Sequence, residues 1–414
     1  MDKSPEEIYK ERLRRVEDAV QLKVPDRVPF LGAFASLSFK YAGITAEEAY
    51  FDTEKWCSAV KKTVLDFQPD MYRATVTSGV ALETLDCRQY KLPGRGVPPD
   101  STHQFVEGEY MKADEYAALL DNPEDYIFRT YIPRVYGALE AFKLLPPLRS
   151  FLSGIGATAG FAVPEVAAAF ETFFKAGREL ARTTAVVEAF EKEMAGMGFP
   201  TVGGAGTSAP FDRVSDFLRG MRGSMLDMYR QPDRLLRLLQ AEEKLLLQQI
   251  ETMVSNVKKG ANSRLFMPLH RGADGFMSPK QFETFYWPGL KKIILAMVNG
   301  GITPFVFFEG SYDQRLEYLR ELPKGKIVAW FDKTDVFKAK EVIGDTVCIM
   351  GNMPSSMLSV GTPQEVKDYS KKLMDIVGDE GGFIMSGGTG IANANPELVK
   401  LWMDYTKEYG VYKI

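Results

Sequence analysis

Short β-rich apolar runs recur along the chain, and a longer amphipathic stretch follows nearly every one. Strands alternating with helices at this spacing favour a parallel sheet with helical crossovers, because parallel neighbours cannot be joined by a tight turn. The runs fall at 28–32, 70–76, 201–205, 264–269, 302–308, 326–331, 346–350 and 382–385. Helical stretches follow at 46–67, 164–197, 232–258, 279–299, 313–322, 335–343, 363–377 and 396–408, after an opening helix that stops before Pro25-Asp26-Arg27. Eight strands, each followed by a helix, are the number that closes a (β/α)8 TIM barrel. The expected fold is therefore α/β, built as such a barrel. An open doubly wound sheet shares the local pattern, but GGAG and GGTG, which follow strands, lack the GxGxxG spacing of a dinucleotide fingerprint.

The alternation breaks once. Between Ser78 and Met111 the chain is rich in Gly and Pro (KLPGRGVPPDST) with short β-like pieces, which reads as a hairpin excursion. An interrupted helical region then runs over about 113–143, and 144–162 reads as loop and turn. The domain reading is one barrel over 1–414 with an excursion inserted after the second strand at about 78–160. A lid, a dimer arm and a partner-docking surface all remain open for 78–112.

Charge removes several function classes. A formal net charge of -4 with no basic block gives no electrostatic case for nucleic acid or an anionic membrane. The amino terminus is charged and lacks the apolar core of a signal peptide, and no apolar run reaches the roughly 20 residues of a membrane span. Cys57, Cys87 and Cys348 are scattered with no CxxC pair, which points to a reducing compartment, so the cytoplasm is the expected location.

In (β/α)8 barrels the chemistry sits just past the carboxyl ends of the strands. Thr75, Thr77 and Glu83 follow the second run; Thr207 and Asp212 follow the third; His270, Arg271 and Asp274 follow the fourth. Glu309 ends the fifth, Asp332 the sixth, with Asp335 beyond it; Asn352 follows the seventh and Gly387-Gly388-Thr389 the eighth. Glu309 is the hardest to assign to structure alone, because it ends the apolar run TPFVFFEG, where an unpaired carboxylate is costly. Asp335 reads as a helix cap, Asp212 as a turn or cap, and Asn352 equally as turn or ligand. His270 reads equally as structural or functional, and His103 as a surface residue of the excursion.

Several ordered segments resemble a known family. The opening RRVEDAVQLKVPDRVPF is similar to the signature of uroporphyrinogen decarboxylases, in which a short helix leads into a DRVP strand. APFDRVSDFLRGMRGSMLDMYRQPDRL, FMSPKQFETFYWPGLKKII, DKTDVFKAKEVIGDTVCIMGNMP and GGFIMSGGTGIANANPELVKLWMDYTKEYG resemble the related corrinoid-dependent methyltransferases. The resemblance covers nearly everything outside 78–160. It implies the same barrel, often as a homodimer, and either cofactor-free decarboxylation of a porphyrinogen or methyl transfer to or from the cobalt of a corrinoid protein.

The departures from the family narrow this choice. The resemblance places a zinc-binding His-x-Cys at the end of the fifth strand and a Cys after the eighth; here those positions are Phe307, Glu309 and Thr389. Without a thiolate, a zinc site that activates a thiol is disfavoured, and an oxygen/nitrogen site from His270, Glu309 and Asp332 is the remaining metal arrangement. Decarboxylases carry an Arg-rich loop after the first strand, whereas LGAFASLSFKYAG holds only Lys40. The leading expectation is a methyltransferase that moves a methyl group from a small methoxy or methylamine compound to the cobalt of a separate corrinoid protein, since no DxHxxG-type cobalamin run is present. His270, Glu309 and Asp332 are the expected catalytic groups; Arg271, Thr77, Asn352 and Thr389 are expected to bind substrate, Arg271 by pairing with a carboxylate. The alternatives are a metal-free decarboxylase or lyase and a non-catalytic ligand-binding barrel.

Overall fold

A computed structural model describes residues 3–203, 207–388 and 391–413. Two short strands, β1 (Leu31–Ala33) and β2 (Met71–Arg73), pair in parallel. Three small strands follow in the excursion: β3 (Tyr90–Pro93), β4 (Gly96–Val97) and β5 (Gln104–Phe105). The carboxyl-terminal half carries β6 (Arg264–Leu269), β7 (Thr303–Phe308), β8 (Val328–Phe331), β9 (Cys348–Met350) and β10 (Phe383–Ile384), all parallel, in sequential order. Single parallel bridges join Phe30 to Met385, Tyr72 to Thr201 and Gly203 to Leu265. The molecule is thus an α/β fold with parallel sheets. Among the described residues no helix is long and apolar enough to cross a membrane.

Successive strand side chains point to opposite faces, and here both faces are buried. One cluster takes Leu31, Met71, Phe266, Phe305, Val328, Trp330, Cys348, Met350 and Ile384. The intervening residues, among them Met267, Leu269, Val306, Phe308, Ala329, Phe331, Ile349 and Phe383, pack in a second cluster with the helices. Continuous apolar strands are what a parallel sheet buried on both sides requires.

Local chemistry fixes where several helices begin. Ser4, Thr45 and Thr362 each form a capping box with a glutamate three residues on. Asp335 caps the helix Val336–Ile343 by accepting from the Phe337 and Lys338 amides, as its position suggested. The expected helix over 46–67 is two helices, Ala46–Phe51 and Thr53–Phe67, because Asp52 leaves the helical conformation to cap the second. The expected strand at 70–76 shortens to three residues.

The largest departure lies at 207–230, expected as loop. It is helical: Pro210–Val214, a wider turn over Ser215–Arg219, then Gly220–Arg230. Phe211, Val214 and Leu218 are buried at helical spacing. Gly220, at φ +69°, breaks the segment where a Cβ would stand 3.1 Å from the Gly108 carbonyl, and this punctuation hides the periodicity.

Candidate active site

The alternation along β6, β7 and β8 aims the site. Phe266, Phe305 and Trp330 face the inner cluster. Steps of two residues onward from them give His270, Glu309 and Asp332, so the three polar residues leave their strands on the inner side. They line one cavity of about 820 Å³, together with Asp216, Arg271 and Lys333. Tyr90, His103 and Phe105 of the excursion form another wall, and Phe217 and Phe276 add aromatic surface.

His270 is held by two aspartates: Asp212, a strand-end candidate read from the sequence as a turn or cap, and Asp216, which the sequence did not single out. Asp212 is fully buried; its carboxylate accepts the backbone N–H groups of His270 (3.0 Å) and Arg271 (2.9 Å) and the Tyr286 hydroxyl (2.8 Å). This corrects its reading as a turn or cap: it fixes the end of β6 from the helix Pro210–Val214. Burial, reinforced by neighbouring Asp216, pushes its carboxyl up to about 6. Asp216 Oδ2 lies 2.6 Å from His270 Nδ1, while Oδ1 accepts from Arg271 Nε (3.1 Å) and lies 2.9 Å from its Nη2. The Asp212-x-x-x-Asp216 spacing, which sets both acids on one helical face, was the available signal.

Burial works against the His270 cation, but the Asp216 hydrogen bond and the charges of Asp212, Asp216 and Glu309 outweigh it, raising the imidazole to about 9. Its Nε2 faces Glu309 Oε2 at 3.8 Å, beyond hydrogen-bond distance. Glu309, expected on an apolar strand end, is 51% exposed and so bears no burial cost. Asp332 accepts from the Gly310 amide at 3.1 Å, and burial raises its carboxyl above the ordinary value.

Other expected site residues are placed differently. Arg271 lines the cavity; Asp216 Oδ1 takes its Nε and Nη2, while its Nη1 reaches only the Met221 sulfur at 3.8 Å. The Asn352 amide donates to the Thr334 carbonyl and accepts from the Tyr369 hydroxyl, so both its ends serve the fold rather than substrate. Thr77 lies against the Tyr50 hydroxyl, outside the cavity lining, and Tyr50 in turn contacts His103 Nδ1 at 2.7 Å. His103, expected at the surface, is a half-buried part of the cavity wall, and burial lowers its basicity. Thr389 lies outside the described residues. His270, Glu309 and Asp332 share the cavity, and among the described residues no three His, Cys, Asp or Glu side chains gather as a metal group. Phe307, standing where a zinc ligand would be needed, stacks instead with Phe266 and packs on Trp330.

The uroporphyrinogen decarboxylase (URO-D) family model matches residues 163–409, more than half of the chain. The chain belongs to the uroporphyrinogen decarboxylase family. Curated relatives are the uroporphyrinogen decarboxylases of Chlorobaculum parvum, 26% identical over 192 residues (44% of this chain, 51% of that one), and of Coxiella burnetii, 26% over 173 residues (41% and 45%). The chain spans about half the length of the curated relatives it matches. A methyltransferase from Methanosarcina mazei superimposes over 95% of this chain and 98% of its own, with a TM-score of 0.61 at 17% identity. That likeness establishes a shared fold. Within the family frame, the His270–Asp216 pair sits at the strand ends, on the segment that the family model covers.

Proposed function

We propose that this protein is a methyltransferase that takes a methyl group from a small methoxy or methylamine compound and passes it to the cobalt of a separate corrinoid protein. One observation carries the reading: an imidazole held cationic near neutral pH by Asp216, exposed in a cavity at the strand ends. A methylated oxygen or nitrogen is a poor leaving group until it receives a proton, and a phenol ionises near 10. An acid near 9 is therefore well matched to it. The corrinoid supplies the nucleophile that takes the methyl group. His270 Nε2 donates the proton to the departing atom, Asp216 holds the imidazole in register, and Asp212 holds the strand end that carries it. Glu309 stabilises the imidazolium and Asp332 orients polar groups of the substrate. The positions Phe307 and Glu309 do not fit a zinc-thiolate centre, because neither supplies a thiolate.

The same reading takes the chain as one (β/α)8 barrel domain over 1–414 with an excursion at about 78–160. The three parallel bridges, which continue the pairing from β10 to β1 and from β2 through 201–203 to β6, support closure. The curated decarboxylase relatives favour a second reading, metal-free decarboxylation. Against it stands a wall that sets three carboxylates, Asp216, Glu309 and Asp332, beside its three basic groups, His270, Arg271 and Lys333, and so offers no cationic excess to grip a polycarboxylate.

The test is anaerobic incubation of the protein with a reduced corrinoid protein and a panel of aryl methyl ethers and methylamines, followed by corrinoid absorbance. A methylation spectrum that requires His270 is expected. Carbon dioxide release without any corrinoid change would overturn the reading in favour of the second.

A further inference from the structure

Both histidines of the chain line the same cavity, from different walls. β3 and β5 pair antiparallel with Tyr90 opposite Phe105, so these two side chains share a face. His103 stands two residues before Phe105 and falls on that face, which is the excursion's wall of the cavity. Two rings hold its imidazole there: Tyr90, edge-on at 5.1 Å between centroids, and Tyr50, tilted at 5.8 Å.

The Tyr50 hydroxyl decides which ring nitrogen of His103 carries the proton. Its oxygen accepts the His103 backbone N–H at 3.4 Å, with the Thr77 side chain beside it, and His103 Nδ1 lies 2.7 Å away. A phenol has one proton to give, and here it goes to Nδ1. In a neutral imidazole the hydrogen then sits on Nε2. Burial favours that neutral form by lowering the basicity of His103, whereas the acids around His270 favour its cation. Tyr50 is outside the cavity lining, so Nδ1 faces away from the cavity. Nε2 has no hydrogen-bond partner among the described residues and is not one of the buried unpaired atoms, so it stays accessible on a ring that lines the cavity.

We propose that His103 orients the substrate: its Nε2–H donates to a second oxygen of the methyl donor while the oxygen that carries the methyl group lies at His270. The cavity thereby selects a methyl ether with a neutral acceptor oxygen apart from the reacting one. A neutral N–H adds no charge to a wall whose acids and bases already balance, and Tyr90, Phe105 and Phe217 beside it suit a flat body. The place of the reacting oxygen rests on the methyl-transfer reading, but the donor is tested without any methyl transfer.

The test is calorimetric titration of the full chain, with no corrinoid present. The ortho, meta and para isomers of dimethoxybenzene are each compared with the ethylmethoxybenzene in which a CH2 group replaces the second oxygen. In wild type at least one isomer should bind about fivefold more tightly than its isostere, the effect of one hydrogen bond. His103→Phe should bring that ratio close to one, and His103→Gln, which keeps an N–H donor, should restore part of it. Tyr50→Phe should also lower the ratio, because Nδ1 then competes for the proton. Long-range proton–nitrogen NMR should show the Nε2–H tautomer in wild type and a mixture in Tyr50→Phe, a change that a merely structural histidine would not link to oxygen selectivity. Should His103→Phe fail to fold, the same spectra on wild type decide: the preferred dimethoxybenzene must move the Nε2 resonance more than its isostere does. Wild-type ratios near one for all three isomers, a ratio unchanged in the variants, or an Nδ1–H tautomer in wild type overturns the proposal. Oxygen selectivity without corrinoid methylation would keep the donor and overturn only the methyl-transfer reading.

Discussion

Replacing Asp216 with Asn tests the acid at the centre of the site. Asn keeps the shape but removes the charge that holds His270 cationic, so the imidazole should fall from about 9 toward its ordinary value of 6.5. A raised histidine stabilises the folded state fully below its unfolded value, and that contribution disappears as pH rises through its folded value. The window is therefore about 6.5 to 9. In a dry site this displacement would be worth roughly 3 kcal/mol. The His270 side chain is 39% exposed, however, and solvent screening reduces the expected contribution to about 1 kcal/mol. Wild type should lose about that much stability between pH 6 and 9.5, and Asp216→Asn much less, on top of a pH-independent loss from the broken Arg271 pair. With only two histidines in the chain, imidazole proton NMR resolves both, and a His103→Gln variant assigns them. A His270 titration near 6.5 in wild type, or one near 9 that survives the Asn substitution, would refute the reasoning.

Further expectations follow from the same geometry. His270→Gln should lower methyl transfer by about a hundredfold or more while leaving the unfolding temperature within a few degrees, measured by corrinoid absorbance and calorimetry. Asp212→Asn should cost about 1–3 kcal/mol in urea unfolding at neutral pH, because one carboxamide oxygen cannot accept two backbone donors and a phenol. Wild type should also lose stability as pH rises from about 4 to 6, since the raised Asp212 carboxyl must ionise in the fold; the Asn variant should lack this slope. Asn352→Ala should destabilise by about 1–2 kcal/mol with little change in substrate affinity, whereas a large KM effect alone would restore its role as a ligand. Asp335→Ala should cost about 1 kcal/mol from the lost cap.

The sequence was informative wherever one period dominated. β6 to β10 are continuous apolar runs, and their ends led directly to His270, Glu309 and Asp332, because strand parity carries over to the next residue of the same face. Charge partnership was not legible. Arg271 looked free because its partner Asp216 lies 55 residues earlier, on a helix whose glycines resembled loop punctuation. Asp212 looked like a cap because it sits in a first helical turn, whereas its acceptor capacity is spent on a strand end far along the chain.

The excursion wall has a consequence for how this catalyst could change its diet. Tyr90, His103 and Phe105 lie before residue 163, where the family model begins, while the proton donor and its holder lie after it. One wall of the cavity and the proton donor are therefore written in separate stretches of the gene, although Phe217 and Phe276 of the remaining wall travel with the donor. Exchanging 78–112 between homologues should change which substrates the cavity admits while His270 and Asp216 are inherited intact.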